Sequence, residues 1–246
     1  MQRWKLTVEY DGAGFSGWQM QKDARSVQST IEEAIKKFCD EDVRIHVAGR
    51  TDAGVHALAQ VCHADIERPT DAETVRDAVN YYMRHHPVMV MNADPVTTDF
   101  HARFSALSRH YMFRVINRPR PLTIDRGYAV HFYKPLSLEP MQQAAELLIG
   151  HHDFTSFRAI NCQSPSPMKT MLDARVEQIG NEFRFHFGAK SFLYHQVRNM
   201  VGSLFFVGTG QWSVQEFKTA FEAKERAKAG PTAPPQGLYF TGVKYE

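Results

Sequence analysis

The chain has 246 residues, of which 43% are hydrophobic and 23% charged, and its formal net charge is +2. This composition is typical of a soluble globular protein with room for two domains, and the sequence contains no apolar run long enough to span a membrane and no signal peptide, so we expect a cytoplasmic protein. The three cysteines (Cys39, Cys62 and Cys162) lack a C-x-x-C spacing, which argues against a disulfide framework and a thiolate zinc site.

The first predicted strand is Trp4–Tyr10, where apolar and polar residues alternate. A loop punctuated by glycines follows over Asp11–Gln19 and contains two aromatic residues, Phe15 and Trp18. Two interpretations of these rings are equally open. They cover the edge of the core, or they stack on the bases of a nucleic acid.

A helix opened by Ser26 comes next, since apolar residues recur at helical spacing after it, and a strand is expected over Val43–Val47. That strand leads into the segment Ala48–Ala57, in which Arg, Thr, Asp and His stand around two glycines. Glycine permits backbone conformations closed to other residues, so such a loop can present Asp52 to a ligand. Spacing alone also allows Asp52 to act as a simple cap of the following segment.

Asp71 is expected to cap a second helix, and a short strand over Val88–Met91 is predicted to end before Asp94-Pro95. The composition then changes near residue 103, so we place two domains at 1–102 and 103–246. Between residues 103 and 126 there are six arginines and a single acidic residue, Asp125.

The cationic segment includes a predicted strand in which Arg109, Tyr111 and Phe113 face the same side. Arginines interleaved with aromatic rings suit RNA, because guanidinium groups bind phosphates and rings stack on unpaired bases. The alternative is a strand whose arginines only lie along a neighbouring helix.

The C-terminal half is predicted to contain a helix over Glu139–Leu148, a hairpin turning at Gly180-Asn181, a helix beginning at Phe192, a helix capped by Ser213 and a closing strand from Leu238. The adjacent His151 and His152 have no third ligand at metal spacing, so no metal site is expected. Together the elements predict an α+β fold of two related domains, each with a mainly antiparallel sheet.

Four motifs, taken in order, resemble the TruA-type tRNA pseudouridine synthases, and the resemblance covers almost the whole chain. The motifs are Tyr10-Asp11-Gly12 with Phe15, Gly17-Trp18-Gln19 and Val27-Gln28; Gly49 to Ala57; Phe100 to Phe104 with Arg109 and Tyr111; and Phe192-Leu193 with Gln196 to Gly202. Gly237-Leu238 completes the pattern. Phe113 and Lys169 depart from it, since Tyr and Arg are common there.

The resemblance implies isomerisation of uridines 38, 39 and 40 of the tRNA anticodon stem-loop to pseudouridine, without a cofactor or a metal. It implies a homodimer and a pseudouridine-synthase-like fold in which each sheet has helices on one face and the two domains are joined around a central cleft. Asp52 would be the nucleophile or catalytic carboxylate, and Tyr111 would stack on the target base. Arg198 would pair with Asp52, while Arg50 and Leu238 would help to hold the nucleotide. Arg103, Arg109, Phe15 and Trp18 are the residues expected to contact RNA.

Pseudouridine formation breaks the C1′–N1 bond, turns the base and joins C1′ to C5. A single carboxylate among arginines suits this isomerisation, because an ionised Asp can act on the electron-poor C1′ while hydrolysis would need a second carboxylate. A non-catalytic RNA-binding module is the first alternative. An Asp-dependent hydrolase of a phosphorylated small molecule is the second, but the sequence lacks the carboxylate cluster of a magnesium site.

Overall fold

The computed structural model describes residues 1–245 and contains ten strands and five helices over that range. In chain order they are β1 (Gln2–Tyr10), α1 (Val27–Cys39), β2 (His46–Val47), β3 (His56–Ile66), α2 (Ala72–Met83), β4 (Val88–Val96), β5 (Ser108–Asn117), β6 (Val130–Phe132), α3 (Leu138–Glu146), β7 (Gly150–Asp153), β8 (Met168–Ile179), β9 (Glu182–Ala189), α4 (Gln196–Gly208), α5 (Val214–Glu222) and β10 (Leu238–Lys244). Single 3₁₀ turns occur at Gly12–Gly14, Thr155–Phe157, Arg226–Lys228 and Pro235–Gly237. The mixed α+β class predicted from the sequence is confirmed.

The chain divides into two compact units. The first comprises Met1–Arg109 together with Tyr239–Glu246, and the second comprises His110–Leu238. The boundaries therefore fall inside β5 and β10. The C-terminal strand belongs almost entirely to the first unit.

The first unit contains the strand order β4-β1-β3-β10, with β2 paired to β3. Both β1–β3 and β1–β4 are antiparallel, whereas β10 runs parallel to β3. Every second side chain of β1 from Trp4 to Tyr10 is buried, as the alternating sequence predicts. The helix α2 packs against β4 and α1.

The second unit contains the order β5-β9-β8-β7, with β6 parallel to β5. The hairpin predicted at Gly180 is confirmed, because Ile179 of β8 pairs with Glu182 of β9 and Gly180 has a φ of +59°. The helix α3 packs against β8, α4 and α5. The rings of Phe154 and Phe157 pack against each other and against Phe221 of α5, with centroids 5.2 to 6.4 Å apart.

Three predicted helix starts are confirmed by their capping contacts. The side chains of Ser26, Asp71 and Ser213 accept hydrogen bonds from backbone N–H groups of the first turns of α1, α2 and α5. These residues have extended backbone conformations, which is the geometry that allows a short polar side chain to reach the free N–H groups.

Three predicted boundaries are wrong. The strand expected over Val43–Val47 is limited to β2, because the backbone N–H groups of Val43 and Ile45 donate to the oxygen of Glu41 and to the Glu32 side chain rather than to a neighbouring strand. The strand β4 continues through Pro95 to Val96, because β4 is the outermost strand in the order of the first unit and its Pro needs no second hydrogen-bonding neighbour. The helix α4 begins at Gln196 rather than Phe192, because His195 has a left-handed φ of +61° that a helix cannot contain. None of the described helices is long and apolar enough to cross a membrane.

Candidate active site

The segment from Ala48 to Val55, here called the Asp52 loop, connects β2 to β3 and is fixed at its start by three groups. The backbone N–H of Ala48 donates to the oxygen of Val61 at 2.8 Å. The buried Gln60 amide donates to the oxygen of Gly49 at 2.9 Å. The guanidinium of Arg109 donates twice to the oxygen of Ala48, at 3.2 and 3.1 Å.

The middle of the Asp52 loop is held through Thr51. The Tyr10 hydroxyl and the Thr51 hydroxyl are 2.7 Å apart, and the backbone N–H of Trp18 donates to the oxygen of Thr51 at 3.0 Å. Burial raises the pKa of Tyr10 to about 12, so its hydroxyl stays protonated and keeps this contact at neutral pH. The residue next to Asp52 is therefore immobilised by both its side chain and its backbone.

A second loop, residues 11–18 and here called the glycine loop, lies directly against the Asp52 loop. The two are neighbours because β1 ends opposite the start of β3, with Tyr10 paired to Ala57. A Cβ atom on Gly12 would lie 2.0 Å from the oxygen of Val55, and one on Gly17 would lie 2.7 Å from the oxygen of Thr51. Gly17 also has a φ of +95°, so only glycine fits there without strain.

The end of the Asp52 loop is fixed by His56, the first residue of β3. Its Nδ1 accepts a hydrogen bond from the backbone N–H of Gly12 at 3.1 Å. Its ring stacks on Tyr239 with centroids 4.8 Å apart and an interplanar angle of 26°. Because start, middle and end are all held, the loop presents Asp52 from a rigid backbone.

Arg50, Asp52 and Ala53 are the residues of this loop whose side chains reach the surface. Arg50 and Ala53 are exposed and Asp52 is half-buried, whereas Thr51, Val55 and Ala48 are buried. The loop thus presents a guanidinium and a carboxylate two residues apart. This is the charged pair that the sequence motif predicts.

The rings of Phe15 and Trp18 lie in the core. Their side chains are only 5% and 1% exposed, and Trp18 packs 6.0 Å from the ring of Tyr10. Rings buried to this degree leave no face for a base, so the structure favours the first interpretation of these residues, covering the core edge, over RNA stacking.

The two arginines expected to contact RNA differ in their surroundings. Arg103 is exposed and lies 5.5 Å from the centre of the exposed Phe104 ring. Arg109 is half-buried, and its guanidinium donates to the backbone oxygens of Ala106 and Arg103 in addition to that of Ala48. Arg109 is thus a brace for the Asp52 loop, while Arg103 presents its charge to the surface.

Three histidines pack together beside Arg103. His63 is buried, and its ring lies 5.0 Å from His46 and 4.7 Å from His101. The Nδ1 of His63 accepts from the backbone N–H of Ala102 at 3.1 Å, and the Nδ1 of His101 accepts from Arg103 at 3.1 Å. The rings of His63 and His101 therefore hold the segment that carries Arg103.

Tyr111, Arg198 and Leu238 belong to the second unit. Tyr111 is half-buried on β5, and its ring is perpendicular to that of Phe192, with centroids 5.0 Å apart and an interplanar angle of 86°. Arg198 lies in the first turn of α4 and is half-buried, with its Nε donating to the oxygen of Ala233 at 2.7 Å. Leu238 is buried at 5% exposure.

The backbone turns at His195, which has a left-handed conformation and lies between Phe192 and Arg198 in the sequence. Its ring stacks on Tyr194 with centroids 3.9 Å apart. A left-handed non-glycine residue is costly and occurs where the surroundings impose it, often at functional sites. The turn at His195 lets Phe192 support Tyr111 while α4 starts with Arg198 in its first turn.

Tyr10, Gly12, Gly17 and Phe192 belong to the sequence motifs but have no predicted role of their own. The structure shows that they position the predicted site residues. Two glycines six and one residues before Trp18 could have indicated a close backbone contact, but nothing in the sequence identifies the partner loop. Among residues 1–245 no group of three or more His, Cys, Asp or Glu side chains could hold a metal ion.

Comparison with known proteins assigns the family. A sequence model described as tRNA pseudouridine synthase matches residues 6–105 and 144–246. The proteins named tRNA pseudouridine synthase A from Parvibaculum lavamentivorans and Rhodospirillum centenum are each 51% identical to this chain, over 246 and 245 residues and 100% of both chains. That of Paramagnetospirillum magneticum is 51% identical over 100% of this chain and 96% of its own.

The chain therefore belongs to the tRNA pseudouridine synthase family, whose members isomerise uridine to pseudouridine in tRNA. It is an enzyme of the isomerase class that acts on tRNA, not a non-catalytic RNA-binding module. One solved structure, a Cbf5-Nop10-Gar1 complex, contains a chain with a TM-score of 0.34 and 12% identity over 82% of this chain and 54% of that one. Similarity at that level supports no argument here.

The contact between the two loops predicts different effects for two neighbouring glycines. Gly12→Ala places a Cβ 2.0 Å from the oxygen of Val55, so the Asp52 loop must shift. We expect a loss of about 1–3 kcal/mol in unfolding free energy and a fall in pseudouridine formation of about a hundredfold. Gly14→Ala is the matched control, because nothing lies within 4 Å of its Cβ. If the two substitutions had equal effects on urea unfolding and on turnover, the close contact between the glycine loop and the Asp52 loop would not be what positions Asp52.

The histidine cluster predicts a stability that depends on pH. Burial, together with Arg3, His101 and His46, lowers the pKa of His63 to about 4, and Asp65 opposes the shift. In the unfolded chain the pKa of this histidine is near 6.5, so between pH 6.5 and 4 the unfolded chain binds more protons than the folded protein. The free energy of unfolding is therefore highest above pH 6.5 and falls by about 3 kcal/mol at most as the pH drops to 4. Urea unfolding at pH 7 and pH 4 should show this loss in the wild type and a smaller one in His63→Gln. His151→Gln, on an exposed histidine, should behave as wild type; an unchanged pH dependence in His63→Gln would refute the assignment.

Proposed function

We propose that this chain converts uridines 38, 39 and 40 of the tRNA anticodon stem-loop to pseudouridine, with Asp52 as the catalytic carboxylate. The observation that supports Asp52 most directly is the rigid loop around it. The loop is held at Ala48, at Thr51 and at Val55, and by His56 directly after it, while the side chains of Arg50 and Asp52 reach the surface.

The carboxylate acts on the nucleoside during the exchange of bonds. The C1′–N1 bond breaks, the uracil ring turns, C1′ joins C5, N1 takes a proton and C5 releases one, so atoms and charge balance without a redox partner. An ionised Asp stabilises the electron-poor C1′ in this step, as carboxylates do in glycosidases. A fixed loop has no reorganisation to undergo when the charge develops.

The target base must leave the helical stack, which costs roughly a few kcal/mol. Tyr111 is proposed to supply a stacking surface worth about 1–3 kcal/mol. Its ring is held perpendicular to that of Phe192, with centroids 5.0 Å apart, so the orientation of the Tyr111 ring is fixed before RNA binds. Arg50 and Leu238 are proposed to hold the nucleotide, and the pairing of Arg198 with Asp52 rests on the family resemblance.

RNA outside the target nucleotide is proposed to contact Arg103, which is exposed. Arg109 contributes through the Asp52 loop that it braces. The resemblance also supports a homodimer, and the tRNA substrate supports a cytoplasmic location. The domain assignment, 1–102 for the catalytic Asp and 103–246 for the stacking Tyr, is part of the same proposal.

Asp52→Asn tests the central role. The amide keeps the shape of the side chain but cannot carry the charge, so we expect tritium release from tRNA labelled at uridine C5 to fall on the order of a thousandfold or more. Affinity for tRNA should change little, because one side chain contributes a small part of the interface. Retained turnover would refute the catalytic role. The urea unfolding midpoint of the variant is measured as well, because an unchanged midpoint shows that lost turnover is not caused by unfolding.

Two substitutions of Tyr111 separate stacking from hydroxyl chemistry. Tyr111→Phe keeps the ring and its contact with Phe192, so it should retain substantial turnover if stacking is the role. Tyr111→Leu removes the ring face and should lower turnover by about 10- to 100-fold, corresponding to the stacking energy. Near-total loss in both variants would show that the hydroxyl takes part in the reaction.

A further inference from the structure

The chain between β5 and β6, residues 118–129 and here called the β5–β6 loop, carries three arginines without an acidic partner. Arg120 and Arg126 are exposed and Arg118 is half-buried. Over the described residues 1–245 no carboxylate lies within ion-pair distance of any of the three. With Asp125 counted, residues 118–129 have a formal charge of +2.

The single acidic residue of this region, Asp125, is occupied elsewhere. Its carboxylate accepts from Arg114 of β5 at 3.3 Å, and Arg114 also binds Glu182 at 2.7 Å. Arg184 binds the same oxygen of Glu182 at 2.8 Å. The Arg114 hydrogen bond and then that of Arg184 lower the pKa of Glu182 to about 2, so this network stays charged at neutral pH.

The loop backbone is ordered by its own contacts. Arg118 donates through Nε to the oxygen of Arg120 at 3.0 Å and through Nη2 to that of Pro121 at 2.7 Å. The ring of His131 lies 2.8 Å from the oxygen of Arg118, and the Arg118 N–H donates to Phe132 at 3.2 Å. Backbone oxygens orient the Arg118 guanidinium but do not cancel its charge, so the loop is a preformed cationic surface.

Exposed apolar side chains flank these charges. Ile124 is 92% exposed and Tyr133, just after β6, is 65% exposed. Guanidinium groups without a carboxylate partner, in the same stretch of chain as an exposed Ile and an exposed Tyr, fit an RNA backbone, whose phosphates bind arginine and whose riboses and bases offer flat apolar faces. A protein partner would have to provide acidic groups for all three arginines.

The position of the loop along the chain fixes how far from the target it acts. Arg118 lies seven residues beyond Tyr111 on an extended strand, which corresponds to about 23 Å at ~3.3 Å per residue. That distance spans roughly six or seven phosphates at about 3.4 Å each along one strand. The loop therefore reaches a part of the RNA well away from the nucleotide that Tyr111 stacks on.

We propose that the β5–β6 loop, through Arg118, Arg120 and Arg126, binds phosphates of the substrate RNA about 20 Å from the target uridine. This inference rests on the proposed function, because it takes Tyr111 as the position of the target base. The loop adds affinity for RNA that extends beyond the target and takes no part in the bond exchange.

The test compares two RNA hairpins that share the sequence around the target uridine. The short hairpin has a stem of about four base pairs, which ends before it reaches the β5–β6 loop of the protein. The long hairpin has a stem of about twelve base pairs, which extends past that loop. Wild type should bind the long hairpin more tightly in fluorescence anisotropy. Arg120→Gln/Arg126→Gln should lower the affinity for the long hairpin roughly tenfold and reduce the slope of its log Kd against log salt concentration by about 1.5. The affinity for the short hairpin should not change.

The control variant is Lys218→Gln/Lys228→Gln, which removes the same charge from exposed residues of α5 and the following turn. It should keep the preference for the long hairpin. The proposal is overturned if the arginine variant weakens binding of both hairpins equally or of neither. It is also overturned if wild type shows no preference for the long hairpin, or if the lysine variant has the same effect as the arginine variant. Tritium release at saturating tRNA is measured in parallel. If wild type releases none, the proposed function fails, while the binding series still decides whether the loop contacts RNA.

Discussion

The close contact between two backbones, at Gly12 against Val55 and Gly17 against Thr51, is the constraint on which the first unit's site depends. At these two points no side chain separates the glycine loop from the Asp52 loop, and the backbone hydrogen bond from Trp18 N–H to the oxygen of Thr51 sets their distance. This arrangement follows from the pairing of β1 with β3, which brings the end of one strand and the start of the other to the same side of the sheet. The result is a carboxylate on a loop that is irregular in shape and still rigid.

The arginines of the sequence perform two different tasks that their spacing does not distinguish. Arg109 and Arg114 direct their guanidinium groups to the protein's own backbone oxygens and carboxylates, and so order loops. Arg103, Arg120 and Arg126 present theirs to the surface. A cationic run in a sequence is therefore an upper limit on the charge available to a ligand, since part of it is used within the fold.

Local rules predicted the local features well. The caps of α1, α2 and α5 and the turn at Gly180 depend on residues within a few positions of each other, and the structure confirms them. The start of α4 could not be predicted, because the apolar spacing from Phe192 onward is helical and only the tertiary surroundings force His195 into the left-handed region. The burial of Phe15 and Trp18 was equally inaccessible, since aromatic residues in a glycine-rich loop suit either a core or a ligand surface. Asp52 and Arg50 were found as a motif, but their rigid support comes from Tyr10, Gln60 and Arg109, whose partners are distant in sequence.

The proline inside β4 has a consequence for how the protein behaves in a crowded solution. The strand β4 is the outermost strand of the first unit. The Asn80 side chain bonds both backbone groups of Val90, and exposed Met89 and Met91 lie on either side of that residue along an edge to which a foreign strand could add. Pro95 offers no N–H there, and the neighbouring Asp94 bears a charge paired with Lys5 at 3.0 Å. Pro95, which the sequence suggests as the end of the strand, therefore interrupts the hydrogen-bonding edge of β4 at one end and disfavours aggregation through that edge.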